Sequence, residues 1–442
     1  MIERYTLPDM GRLWSDENMY QTWLEVELAA CEAMARQGIV PSKSLQTIKR
    51  KAAFDIKRIE KIEAKTNHDV VAFLTAVAEK VGPDARYIHF GMTSSDVLDT
   101  ALALRMKRAG EMIDRRIAQA LKTLRALVRR HATTPIIGRT HGVMAEPTSL
   151  GLKFGVWYTE LQRGRERFIR GREEISVGAI SGAVGNFANL DPQVEAYVCK
   201  KLGLKPAAVS TQVVQRDRHA AYLNALALLF SSIEKFATEI RNLQRSEIGE
   251  LQEGFARGQK GSSAMPHKKN PITAERLTGI ARLMRGYAVS AMENIPLWHE
   301  RDIAHSSVER VIIPDTTILA DYGLAKFNDL LSGLVVNKKR MRQNIYFKGG
   351  LVFSQRLLLK LTDRMGSREK AYAVVQRNAL RAHESTAGDD GTDNGSDGGF
   401  RGLISRDRDV VKHLSASEID ELFELEYYLK NVNTIVKRAL KA

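Results

Sequence analysis

Cysteine is nearly missing: the 442 residues hold only Cys31 and Cys199. Two thiols so far apart give neither a disulfide framework nor a metal-ligand spacing. Cys31 falls on the apolar stripe of a helical pattern and reads as a small buried hydrophobe. Aromatic residues are scarce at 7%, while Ala, Leu, Glu, Arg and Lys abound, and such side chains lose little rotamer freedom on a helix. No apolar run approaches the roughly 18–20 residues that cross a bilayer, so no membrane partner is expected. Met1-Ile2-Glu3-Arg4-Tyr5 has no basic-then-apolar leader pattern, which points to the cytoplasm. Hydrophobic residues at 44% and charged residues at 27% exclude a mostly disordered chain.

Acidic charge is in deficit. Lys and Arg number 67 against 52 Asp and Glu, a net +15. Such an excess attracts nucleic acid, a membrane surface or small anionic substrates. The basic residues are dispersed, and the densest groups, Lys49-Arg50-Lys51 and Lys57-Arg58, lack interleaved aromatics on which bases would stack. They read as solvated helix faces, and no nucleic-acid partner is expected.

The length suits two or three domains, or one large helical unit. Ser15-Asp16 caps a helix that runs to about Gly38, with Leu24, Leu28, Cys31 and Ala35 on one face. Pro41 prevents its continuation. A second helical stretch ends near Lys80, before Gly82-Pro83, so residues 1–93 read as an N-terminal helical domain. Ser95 then opens a pattern with Ile113, Ile117, Leu121, Leu124 and Val128 recurring at helical spacing. About 35 residues at 1.5 Å each span roughly 50 Å. Further long patterns cover 213–256, 272–293 and 308–341, the last with Pro314 in its first turn or at a kink. An all-α fold follows: a long central helical bundle over 94–341, and a C-terminal helical domain over 342–442. The bundle's large apolar face suggests oligomerisation. The Asp- and Gly-rich tract near 388–399 should be a mobile loop. Its acidic spacing does not fit a calcium loop.

One segment carries most of the chemistry: Gly258-Gln259-Lys260-Gly261-Ser262-Ser263-Ala264-Met265-Pro266-His267-Lys268-Lys269-Asn270-Pro271. Glycines permit unusual backbone angles, and two hydroxyls, a lysine pair and an Asn precede a helix start. Such a loop can present donors to an anion, although a flexible surface turn has a similar composition. No Walker-type phosphate loop and no clustered metal-ligand pattern occur, so neither cofactor nor metal is expected.

Residues 261–271 resemble the signature loop of the fumarase/aspartase superfamily, whose members eliminate fumarate from succinyl-bearing substrates. Thr66-Asn67-His68-Asp69-Val70, Gly91-Met92-Thr93-Ser94-Ser95-Asp96, Arg139-Thr140-His141-Gly142 and the segment from Arg301 to Arg310 are similar to active-site regions of the adenylosuccinate lyase family. That resemblance implies three mostly helical domains, and a homotetramer whose active sites combine residues of three subunits. It implies cleavage of adenylosuccinate to AMP and fumarate, and of the succinyl-carboxamide ribonucleotide of purine synthesis. Ser262 is then the base, with Lys268 helping to stabilise its alkoxide, and Ser263 is a substrate contact. His141 is the acid, a role that suits a side chain titrating near neutrality, and Glu275 orients it. Lys268 and Asn270 grip the succinyl carboxylates, assisted by Thr93 and Ser94. Asn67, His68, Asp69, Gln212 and Arg276 match substrate-binding positions, and His89 helps hold phosphate. Arg4, Arg301, Ser306 and Arg310 match phosphate-binding positions and Tyr5 a nucleotide contact. Guanidinium forks suit phosphate oxygens, and Ser306 and Arg310 at i and i+4 share a helix face. Gly258 and Gly261 suggest that the loop closes over substrate.

Overall fold

The computed structural model describes residues 1–255, 258, 260–385 and 399–441. The tract expected to be mobile lies outside these residues, apart from Gly399. The described chain is mostly helical, with three two-stranded sheets. None of its helices is long and apolar enough to cross a membrane. By packing it divides into two compact units: residues 1–119, 163–234 and 277–327, and residues 120–162, 235–276 and 328–442. The boundaries fall within long helices.

In the first unit, Ser15 accepts a hydrogen bond from the Asn18 amide and starts the helix Asp16–Arg36. Leu24 and Cys31 are buried, and Leu28 and Ala35 pack half-exposed against the same core. Burial pushes the Cys31 thiol up to about 12, so it behaves as an inert apolar group. The second helical stretch, expected to end near Lys80, consists of three helices, Ser42–Lys51, Ile56–Thr66 and Asp69–Val81. Local chemistry makes the breaks. Asp55 caps the second helix by accepting from the Arg58 amide, and Asn67 ends it in the left-handed conformation at φ 49°.

The longest helix, Ser94–Arg130, has 37 residues, about 55 Å at 1.5 Å each. Ile113, Ile117, Leu124 and Val128 on its apolar stripe are wholly buried. Two other expected long patterns are shorter in the structure. The 213–256 pattern gives Asp217–Gln244, because the chain then leaves the helix to pair Leu251–Gln252 with Val335–Val336. The 308–341 pattern divides into Ala304–Ser332 and Lys338–Ile345, separated by that same strand and restarted by the Asn337 side-chain cap. Pro314 lies in the helix interior rather than its first turn.

The second unit is built round a hairpin, Pro135–Thr140 against Val143–Ser149. Its two-residue turn is His141-Gly142, with φ of 56° and 80°, as a type I′ turn requires. Arg139 anchors this hairpin through paired bonds of 2.8 and 2.9 Å to the fully buried Glu250, which also accepts from Asn344 Nδ2 at 2.8 Å. Losing one partner of such a pair typically costs roughly 3–5 kcal/mol, because the other charge stays buried. The C-terminal segments add their own core of Phe353, Leu357, Leu361, Phe400 and Phe423.

Candidate active site

The first unit holds Arg4, Tyr5, Asn67, His68, Asp69, His89, Thr93, Ser94, Gln212, Arg301, Ser306 and Arg310. Asp302 fixes the approach to the helix Ala304–Ser332 by accepting from the Trp298 and Ala304 amides at 2.7 and 2.8 Å. Arg301, Ser306 and Arg310 thereby line one cleft. Arg301 donates to Gln212 Oε1 at 3.0 Å, and Gln212 Nε2 donates to the Ala183 carbonyl at 2.9 Å. Arg310 reaches Ser306 Oγ at 3.4 Å and forms an ion pair with Asp69. Arg4 is exposed, and the Tyr5 ring lies 5.2 Å from that of Tyr322.

Beneath the cleft runs a buried ionic network that sequence reading missed. Arg216 makes two 2.8 Å bonds to Asp99 and one of 3.1 Å to Glu309, all three nearly sealed from water. Burial would raise the Asp99 carboxyl, but Arg216 outweighs it and holds Asp99 below its usual range. Burial dominates at Glu309, which is pushed up to about 7 despite Arg216. It also dominates at His305, driven down to about 4 by desolvation and Arg216. One full charge pair and polar neighbours biased toward neutrality therefore support the basic cleft.

His89 sits at φ 61°. Its ring Nδ1 is 2.6 Å from Glu27 Oε1, and its amide donates to Oε2 at 2.9 Å. Burial opposes the charged ring, yet the Glu27 carboxylate prevails and raises the histidine. A ring biased toward its charged form suits an anion. Glu27 is itself buried. A signal for it existed: it lies three residues after Leu24 and four before Cys31, a carboxylate on an apolar face. His68 caps the helix Asp69–Val81, its Nδ1 accepting from the Val71 amide at 3.3 Å, which leaves Nε2 to carry the proton. The Thr93 amide donates to Asp96 Oδ2 at 2.8 Å where the longest helix begins. Asp96 also accepts from Ser181 and Gly182, but burial prevails and pushes it up to about 6.

The second unit holds His141, Ser262, Ser263, Lys268, Asn270, Glu275 and Arg276. Ser262 Oγ accepts from the amides of Ala264 and Met265 at 3.2 and 3.1 Å. Two N–H dipoles aimed at one hydroxyl oxygen favour its deprotonated form. Asn270 Nδ2 donates to the Gly261 carbonyl at 2.9 Å and closes the loop on itself. A side chain on Gly261 would begin 2.1 Å from the Lys268 carbonyl, so that position demands glycine for space. Gly258, at φ 85°, needs it for its backbone angle. Lys268, Asn270 and Glu275 line a cleft with Arg241 and Arg245. Glu275 lies in the first turn of the helix Ile272–Glu293, and Arg276 follows it half-buried. His141 and Glu275 are both exposed, and within the one chain no hydrogen bond joins them among the described residues.

Comparison with known proteins fits this arrangement. A lyase family model matches residues 3–286, and a model of the adenylosuccinate lyase C-terminus matches residues 350–439. The adenylosuccinate lyase of Synechocystis sp. is 50% identical over 438 residues, covering 99% of both chains. That of Bacillus subtilis is 48% identical with the same coverage. The chain belongs to the adenylosuccinate lyase family. It is thus a carbon–nitrogen lyase of the fumarase/aspartase superfamily. The crystal structure of a fumarate lyase from Mesorhizobium superposes with a TM-score of 0.89 over 100% of both chains at 26% identity. A 3-carboxy-cis,cis-muconate lactonizing enzyme from Pseudomonas putida does so at 0.88, covering 99% and 97% of the two chains at 28% identity. The fold is the all-α fumarase/aspartase fold.

Proposed function

We propose that this chain eliminates fumarate from adenylosuccinate, giving AMP, and from the succinyl-carboxamide ribonucleotide of purine synthesis, giving its carboxamide. The difficulty is a weakly acidic C–H beside a carboxylate and a poor nitrogen leaving group. The Ser262 alkoxide takes the proton from carbon, and the electron pair left behind forms the C=C bond. The C–N bond breaks as His141, oriented by Glu275, protonates the departing nitrogen. Between the two steps the electron pair spreads onto the neighbouring carboxylate as a doubly charged aci-carboxylate, which Lys268 and Asn270 hold with Thr93, Ser94 and Ser263 beside it. Arg4, His89, Arg301, Ser306 and Arg310 hold the phosphate. Tyr5, Asn67, His68, Asp69, Gln212 and Arg276 seat the rest of the nucleotide. The carrying observation is the pair of N–H donors on Ser262 Oγ, since an unassisted serine is far too weak a base for this proton.

The phosphate anchors lie in one packing unit and the acid and base in the other, in keeping with a homotetramer that completes each site from three subunits. The chain-order division into residues 1–93, 94–341 and 342–442, and a cytoplasmic location, belong to the same reading. Its test is the substrate's phosphate. The nucleoside lacking the 5′-phosphate should show a kcat/KM reduced roughly 10²-fold or more, since charge-assisted bonds to the group are lost. Equal kcat/KM for the two substrates would remove Arg301, Ser306 and Arg310 from phosphate binding.

A further inference from the structure

We propose that Gln244 and Glu253 are positioning residues that staple the base of the loop carrying Ser262, and so set the places of Lys268 and Asn270. The inference rests on the reading that those two side chains grip the succinyl carboxylates. Gln244 is the last residue of the helix Asp217–Gln244. Both ends of its amide bond to backbone on opposite sides of the loop. Its Oε1 accepts from the Glu253 amide at 2.8 Å, and its Nε2 donates to the Lys269 carbonyl at 2.9 Å. That carbonyl belongs to the residue between Lys268 and Asn270.

Glu253 makes the second half of the staple. Only 6% exposed, it accepts from the Thr273 amide at 3.0 and 3.1 Å and the Ala274 amide at 3.2 Å. Its carboxylate thus holds the first turn of the helix on which Glu275 stands, where negative charge also meets the positive end of the helix dipole. The entering chain is fixed as well. Leu251–Gln252 pairs with Val335–Val336, and Gly254 lies so close to Gly333 that an added Cβ would be 2.5 Å from its carbonyl oxygen. Residues 253 and 269–274, the two ends of the loop, are therefore clamped together. A shift of about 1 Å in a group that meets the reacting atoms costs on the order of 10²-fold in rate.

Gln244→Met removes both bonds at nearly constant volume. In the intact tetramer it should lower kcat about 10- to 100-fold and weaken inhibition by fumarate by a similar factor. Inhibition by AMP should stay within about twofold, as the phosphate anchors Arg4, His89, Arg301, Ser306 and Arg310 belong to the other unit. Glu253→Gln keeps an oxygen acceptor and should show the same split at smaller size, which a direct contact of Gln244 with substrate would not produce. Should Gln244→Met not fold, Gln244→Glu carries the same test: it retains the acceptor for the Glu253 amide but sets oxygen against the Lys269 carbonyl. Wild-type kcat in the folded variant would overturn the proposal, and so would equal losses of AMP and fumarate affinity, the mark of general damage. Lys268→Ala separates the two layers. If it weakens fumarate while Gln244→Met does not, the staple alone fails. If it leaves fumarate inhibition unchanged, the grip itself fails and the staple with it.

Discussion

Ser262→Ala should lower kcat by roughly 10³-fold or more, the upper part of the range for loss of a positioned general base, while the protein still binds AMP. The two effects separate because of where Ser262 sits. Its Oγ accepts from the Ala264 and Met265 amides in a largely exposed loop. In the alanine variant water can take up those two N–H groups, so the cost in stability should stay within about 1 kcal/mol. Among the described residues no side chain hydrogen-bonds to that oxygen. Rates measured beside thermal unfolding check this. A folded variant turning over within tenfold of wild type would remove Ser262 from proton abstraction.

Loss of the acid should be nearly as severe, but alanine is the wrong probe. His141 holds φ 56° in the hairpin turn, where a side chain that tolerates the left-handed region is needed. Asn adopts that region readily and suits a type I′ turn followed by glycine. His141→Asn should therefore keep the hairpin, which Arg139 and Glu250 anchor independently, while kcat falls roughly 10²- to 10³-fold. Steady-state kinetics, with circular dichroism to confirm the fold, measure both. Wild-type turnover would move the acid elsewhere, and His68, with Nε2 free to donate, would be the next candidate.

The sequence made the long elements legible because their apolar periodicity is local. Ile113, Ile117, Leu124 and Val128 describe the helix Ser94–Arg130 well, and 272–293 falls where Ile272–Glu293 is found. What escaped was fixed by contacts between distant positions. Nothing near residue 245 announces that the chain leaves the helix to pair with Val335–Val336. Three helices were read as one stretch before Lys80 because the Asp55 cap and the left-handed Asn67 are single residues within a continuous amphipathic pattern. The loop 258–271 stood out through the density of its motif. Its supports did not: Gln244 and Glu253 are ordinary residues until the bonds to Lys269, Thr273 and Ala274 are seen. Arg216 is equally silent in sequence, since Asp99 and Glu309 lie 117 and 93 positions away.

The most direct measurement is spectrophotometric turnover of adenylosuccinate by the purified chain, with both products identified and argininosuccinate and malate assayed alongside. The account predicts release of fumarate and AMP in equal amounts from adenylosuccinate, and no reaction of the other two. Turnover of argininosuccinate or malate in its place would leave the superfamily chemistry of Ser262 and His141 standing, and would contradict the nucleotide site built from Arg301, Ser306 and Arg310.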